Sequence, residues 1–423
     1  MRLTPECFSR ESPDQGSPLS DGDQHAGGDT SRPGKKFGPA EKAVIIAAAI
    51  AAVATVVSAT LTGIFNSSSG NQPSPPSTSS STTASTPSSS VATPGAQKTQ
   101  TLEPPPLTPA LTLYNPESTG VTSVAFNANG DLIAGDLNGS AYLWDIASVQ
   151  VKATFPSTNG RQSFGVAVSP GGNTLAVSTV NSNYTEGSVV LWDTATRKPI
   201  ATLNDPDGHG SGNPAVFASD GALLAVADSN GDVYLWNTTT AKLADTLPDP
   251  DSQSGKNDSG LAVSPSTGYL AAGDGDGTTY LWDIQTRKLV STFQDPHSQG
   301  VTGGVAFSPD GSILAAGDGN GNVYLWNVST GTLAATLHGP ADEAIGGVAF
   351  SPHGGVVAAT ANNPKATKTA ICIWNAAHTL AATFRDPRSQ GAYRLMFSPD
   401  GSVLAVGDAN AHTYIWNMNW LYQ

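Results

Sequence analysis

The sequence predicts an all-β protein made largely from one short unit copied seven times, and three observations carry that expectation. The 423 residues include 45 Gly and 30 Pro with only 13% charged residues, too many turn formers and too few Glu and Lys for a helical protein. An aliphatic residue followed by Trp and then Asp or Asn recurs seven times, at Trp144, Trp192, Trp236, Trp282, Trp326, Trp374 and Trp416, spaced 48, 44, 46, 44, 48 and 42 residues apart. Between those tryptophans apolar residues alternate with period two, and turn signals separate the runs.

Reading from the N-terminus, residues 1–42 are rich in Gly, Ser, Asp and Pro and almost devoid of aliphatic residues. They bury too little apolar surface to offset chain entropy, so a disordered tail is expected. Residues 43–65 form an uncharged run of 23 with eight Ala, four Val and four Ile. A helix of that length crosses a hydrocarbon core of roughly 30 Å, which predicts one transmembrane helix. Val57-Ser58-Ala59 resembles a small-x-small cleavage site, so a cleaved signal peptide is the rival reading; the long preceding segment and the length of the apolar run favour an uncleaved anchor. Arg32, Lys35, Lys36 and Lys42 precede the run, while the next basic residue is Lys98. That asymmetry predicts a cytoplasmic N-terminus and an extracytoplasmic remainder.

Residues 66–109 form a Ser/Thr/Pro-rich linker, expected to be a disordered stalk whose ends lie roughly 37 Å apart as a flexible coil.

Residues 110–423 hold the repeat. The copy beginning at Gly303 shows the plan: a strand ending in Ser308-Pro309-Asp310-Gly311, a second strand at Ile313-Leu314-Ala315-Ala316, a hairpin turn at Asn320-Gly321, a third strand ending in Trp326, and a fourth around Leu333-Ala334-Ala335-Thr336-Leu337. Asn-Gly and Asp-Gly pairs suit two-residue turns that need positive φ. Proline after the first strand ends pairing and sets the turn. These repeats resemble the WD-repeat β-propeller family over roughly three quarters of the chain. The resemblance implies a seven-bladed β-propeller of four strands per blade, with protein binding as its usual work.

Only seven residues follow Trp416, too few for a last fourth strand, whereas Leu111-Thr112-Leu113-Tyr114 matches the fourth-strand pattern. Residues 110–116 are therefore expected to complete the seventh blade and leave no open edge. The family's Gly-His pair is approximated only at Gly208-His209, so its buried polar relay is expected to be largely missing. The Tyr/Trp pairs two apart on the third strands are then expected to pack blade against blade.

Residues 111–423 hold 26 Asp and Glu against 13 Lys and Arg. Asp136, Asp228, Asp274, Asp318 and Asp408 recur after the second strand, and Asp249, Asp295 and Asp386, like Asp205, precede Pro after the fourth. Family topology places both sets on one rim, a candidate binding surface for a protein or peptide, with a cationic one favoured by charge. Turn capping is the alternative role for the Asp-Pro positions. The acidic balance, −14 overall, excludes a nucleic-acid partner.

No metal or cofactor is expected. Two cysteines cannot build a zinc site, and Asp274-Gly-Asp276-Gly lacks the further carboxylates of a calcium loop. The Gly-rich stretches at 273–277 and 317–321 run from strand to strand with no following helix and no Lys, unlike phosphate cradles. No Ser-His-Asp order, paired-Glu arrangement or kinase motif stands out. Cys372 occupies a position that Tyr takes elsewhere, predicting a buried thiol. Blades two and six carry longer hairpins at 178–187 and 361–369, the latter with Lys365 and Lys368.

The expected function is a non-catalytic, membrane-tethered interaction or sensing scaffold, monomeric as a closed ring. The order of basic flank, span, stalk and propeller looks like the sensor half of actinobacterial membrane Ser/Thr kinases that carry WD repeats. An extracytoplasmic propeller enzyme, a hydrolase or lyase acting on an envelope sugar or peptide, is the alternative.

Overall fold

Each repeat folds as one radial blade, because its alternating strands have apolar residues on both faces and bury them only against the neighbouring copies. The computed structural model describes residues 108–157, 162–181, 186–207, 214–228, 231–250, 260–296, 298, 300–340, 343–363, 368–386 and 388–422. The expected tail, the span at 43–65 and nearly all of the linker lie outside the described residues, as does His209. Among the described residues no helix is long and apolar enough to cross a membrane.

Seven four-stranded antiparallel sheets are present. The innermost strands, in order, are Val121–Phe126, Gln162–Val168, Ala215–Phe217, Gly260–Val263, Val301–Phe307, Ala344–Phe350 and Ala392–Phe397. Each touches the next, and the first touches the last, so the ring is closed. Blades one to six take their four strands consecutively from the chain. The seventh consists of Ala392–Phe397, Val403–Asp408 and His412–Asn417, with Leu111–Tyr114 added outside in the register Leu111↔Ile415 to Tyr114↔His412. The two ends of the domain are thus hydrogen-bonded into one sheet.

Between every two neighbouring blades lies one apolar cluster, seven in all. The Trp and Tyr of a blade's third strand face the preceding blade: Tyr142 and Trp144, for example, pack with Ala405 and Ile415 of blade seven. All seven repeat tryptophans are buried. Each meets a single inward residue of the preceding outer strand, as in the pairs Phe155–Trp192, Phe293–Trp326 and Phe384–Trp416, with ring centroids 5.8, 5.6 and 4.5 Å apart. In blade seven that inward residue is Leu113, 1% exposed and clustered with Trp144. The ladder shifts by a residue beside the Trp in blades one to six. Such a bulge sharpens strand twist and lets the outer strand splay from the axis.

The longer hairpins of blades two and six are extended ladders, pairing as far as Val180↔Gly187 and Asn363↔Lys368. Their tips at 182–185 and 364–367, including Lys365, lie outside the described residues.

Candidate functional site

Two rims and a channel are available for function; local hydrogen bonding shapes the rims, and the seven inner strands line the channel. On one rim the turn after the third strand is tied to the turn after the first strand. Thr194, Thr238, Ile284 and Val328 donate their amides to the carbonyls of Asn173, Ala222, Gly268 and Ser312 at 3.0, 3.0, 3.1 and 2.9 Å.

On the opposite rim the loops entering blades one, five and seven meet the hairpin between the second and third strands of the same blade. There Leu137, Gly319 and Ala409 donate to the carbonyls of Gly120, Gly300 and Gly391 at 2.8, 2.7 and 2.9 Å. These three glycines have φ of 151°, 98° and 136°, a region that side chains disfavour.

The eight rim aspartates predicted from sequence sit at this second rim, and all are buried: Asp136 1%, Asp228 0%, Asp274 1%, Asp318 0%, Asp408 0%, Asp249 9%, Asp295 3% and Asp386 9% exposed. Their carboxylates bond within the protein. Asp136 accepts from the Ser118 hydroxyl and from the Thr119 and Asn138 amides at 3.0 and 2.9 Å. Asp318 accepts from the Ser298 hydroxyl and the Asn320 amide at 2.6 Å. Asp408 accepts from the Ser389 hydroxyl and from the Gln390 and Asn410 amides, both at 3.0 Å. Asp228 accepts from the Asp232 amide at 2.9 Å and the Tyr234 hydroxyl at 3.1 Å, and Asp274 from the Asp276 amide at 3.3 Å.

The Asp-Pro set plays varied parts. Asp249 donates its amide to Asp232 at 2.8 Å, and the Asp249 carboxylate packs against Gly231. Asp295 accepts from the indole of Trp326 at 3.1 Å, bridging blades four and five. Burial pushes its carboxyl up to about 8, because charge is costly where water is excluded. Asp386 holds Arg388 through two bonds at 3.1 and 2.8 Å.

These contacts amend the expectation of a missing polar relay. The relay is present in another form, running from an aspartate to the serine of the incoming loop. Ser118, Ser298 and Ser389 are the residues that sequence reasoning passed over. Their signal is a shared Pro-x-Ser-x-Gly spacing at 116–120, 296–300 and 387–391.

The channel is a cavity of about 470 Å³ that all seven inner strands line, opening toward the Ser-Pro turns at Pro170, Pro352 and Pro399. Its walls are mainly Ala, Val and Phe. Among the described residues that line it, Arg394 is the one charged side chain, and burial lowers its guanidinium to about 10.

Cys372 is a buried thiol, raised to about 12 mainly by desolvation, with the nearby Glu343 adding to the shift. Such a thiol is held protonated and is a poor nucleophile. Among the described residues no group of three His, Cys, Asp or Glu is placed to hold a metal ion.

Comparison with known families matches the WD domain, G-beta repeat, over residues 108–145, 255–283 and 287–327. Comparison with curated proteins finds none that matches the chain. WD40 propellers are typically non-catalytic scaffolds that bind protein partners. The closed ring of seven sheets makes residues 111–417 a seven-bladed β-propeller, and three segments of it match WD40 repeats.

Proposed function

We propose that the protein is a membrane-tethered, extracytoplasmic scaffold that binds a protein partner on the rim built by the aspartate–serine relay. The observation that carries this reading is the relay itself. It fixes the loops entering blades one, five and seven at a serine hydroxyl and at the backbone, so those loops reach a partner already ordered and lose little entropy on binding. Buried carboxylates do the holding, while the surface that a partner meets is what they hold up: Glu117, Gln390 and Arg388 are exposed beside them. The excess of acidic residues over residues 111–423 favours a partner with a basic face. The apolar run at 43–65, its basic N-terminal flank and the polar linker support tethering with the propeller outside the cell. The resemblance to sensor halves of membrane kinases supports a part in relaying an outside signal to a partner.

A photo-activated cross-linking residue placed at Gln390, in cells expressing the full chain, is expected to form an adduct with another protein. The same residue at Lys288, on an outer strand, is expected to form none. A rim position that yields no adduct, or an outer position that yields the same one, refutes rim binding.

A further inference from the structure

After its last strand the chain seals a groove that it leaves open one blade away. A short 3-10 turn, Asn419–Tyr422, folds back between blades six and seven on the rim of the Ser-Pro turns, opposite the aspartate–serine relay. Met418 is 0% exposed in the apolar cluster there, with Trp420 and Leu421 packed against it. Trp420 lies edge-on to Phe384 with ring centroids 6.3 Å apart. Tyr422 lies edge-on to His353 at 4.9 Å, and its hydroxyl shares a hydrogen bond of 2.5 Å with that of Ser351. A methyl group at Gly401, in the blade-seven turn, would come within 2.9 Å of the Tyr422 hydroxyl.

The repeat places the same framework between blades five and six. Ser308 corresponds to Ser351, Asp310 to His353, Gly354 to Gly401, Ala376 to Met418 and His378 to Trp420. There His378 leads straight into the outer strand Leu380–Phe384 instead of into a plug. The result is a cavity of about 320 Å³, walled by Ile313, Leu325, Phe350 and Val357. A methyl group at Gly354 would meet nothing within 4 Å. Ala376 is exposed, whereas Ile284 and Val328, at the same place in blades four and five, pack into the clusters beside them.

The charge at the mouth also differs. Asp310 is exposed where His353 stands against the plug. The hydroxyls of Ser308 and Ser312 donate to it at 2.6 and 2.9 Å, and these bonds hold its carboxyl below the usual carboxylate range, so it is an anion at neutral pH. His353 and His378 are the other titratable groups that line the hollow. An apolar hollow with an anion at its edge is complementary to an apolar side chain beside a cation.

We propose that the groove between blades five and six docks a short segment of a protein partner, with an aromatic residue filling the hollow and a Lys or Arg two positions later reaching Asp310. The plug supplies the template: Trp420 and Tyr422 stand two residues apart, and Asp310 occupies the place where His353 meets Tyr422. Docking here leaves the relay rim free, so this surface stands or falls independently of a partner bound there, and the two together would let one ring hold two proteins.

Fluorescence anisotropy of the labelled, end-blocked peptide Asn-Trp-Leu-Lys, titrated with the full chain in detergent, tests this. It is expected to bind about tenfold or more tightly than Asn-Ala-Leu-Lys, because a buried aromatic anchor carries most of such an interface. It is expected to bind about threefold more tightly than Asn-Trp-Leu-Gln, the modest gain of an exposed ion pair. Asp310→Asn is expected to erase that threefold preference and leave the Gln peptide unchanged. Ala376→Trp, which fills the hollow, is expected to abolish binding, while Ala195→Trp, on the corresponding turn of blade two, leaves it intact. Equal binding of the Trp and Ala peptides by the unaltered protein overturns the proposal without any variant. So does no binding to the folded protein, a Lys preference that survives Asp310→Asn, full affinity in folded Ala376→Trp, or an equal loss in folded Ala195→Trp.

Discussion

Cutting the ring at its one covalent opening is the sharpest perturbation available. The strand Leu111–Tyr114 is held by four register pairs to His412–Ile415, and its inward residue, Leu113, is 1% exposed in the cluster between blades seven and one. Leu113→Ala removes three buried carbons and leaves a cavity that rigid sheets on both sides cannot close, at a cost of about 3 kcal/mol. Tyr114 lies on the other face of the same strand, 54% exposed and stacked on His412 with centroids 5.1 Å apart. Tyr114→Ala should cost less than about 1 kcal/mol. Deleting residues 108–116 removes Leu113, Leu111 and the ladder bonds, each bond worth about 1 kcal/mol net. The sum is a large share of the roughly 5–15 kcal/mol by which domains are stable. Urea unfolding, followed by tryptophan fluorescence and fitted for midpoint and slope, reads all three. The expected order of destabilisation is deletion, then Leu113→Ala, then Tyr114→Ala. An unchanged midpoint after the deletion, or equal effects of the two substitutions, would refute closure by this strand.

Further predictions concern the relay, a buried acid and a turn. Asp408→Ala strands the Ser389 hydroxyl and two amides without their acceptor and should cost about 3 kcal/mol, with Asp408→Asn milder because it keeps one acceptor oxygen; a loss below about 1 kcal/mol for the alanine variant would show that the relay is not structural. Asp295, raised to about 8 by burial, holds its proton in the folded state well above the pH at which the unfolded chain releases it. Stability from this site therefore falls as pH climbs from about 4 to about 8 and is level above that. Measured by urea midpoints, Asp295→Asn should gain on the unaltered protein by more than about 2 kcal/mol between pH 5 and pH 9, and parallel profiles would contradict the assignment. Arg197 and Gly331 occupy equivalent turns with φ of 59° and 70°, so Arg197→Gly should stabilise and Gly331→Ala destabilise, each by about 1 kcal/mol. The same sign for both would contradict the strain.

The repeat was legible because its signals are local. Tryptophan spacing, period-two alternation and Asn-Gly turns are short-range facts, and they specify strands and their order. Leu113 was legible too, since Leu111-Thr112-Leu113 repeats the x-Thr-Leu/Phe ending of the other outer strands at Leu203, Leu247, Phe293 and Phe384. The burial of the aspartates was not, because exposure depends on which loop lies over them. Asp136 reads as a rim charge until Ser118, eighteen positions earlier, is seen to donate to it. The groove between blades five and six escaped notice for the same reason: Ala376 in the place of Met418 gains meaning only when two blades are brought together around it. The tail and the apolar run are read from composition and charge alone.

Protease treatment of intact cells expressing the full chain tests the placement of this scaffold most directly. If the run at 43–65 is an anchor, protease is expected to cut within residues 66–109 and free a folded propeller into the medium, while without protease it stays with the cells. Propeller that remains cell-bound until the cells are broken, or that appears in the medium with no protease added, contradicts a tethered propeller facing outward.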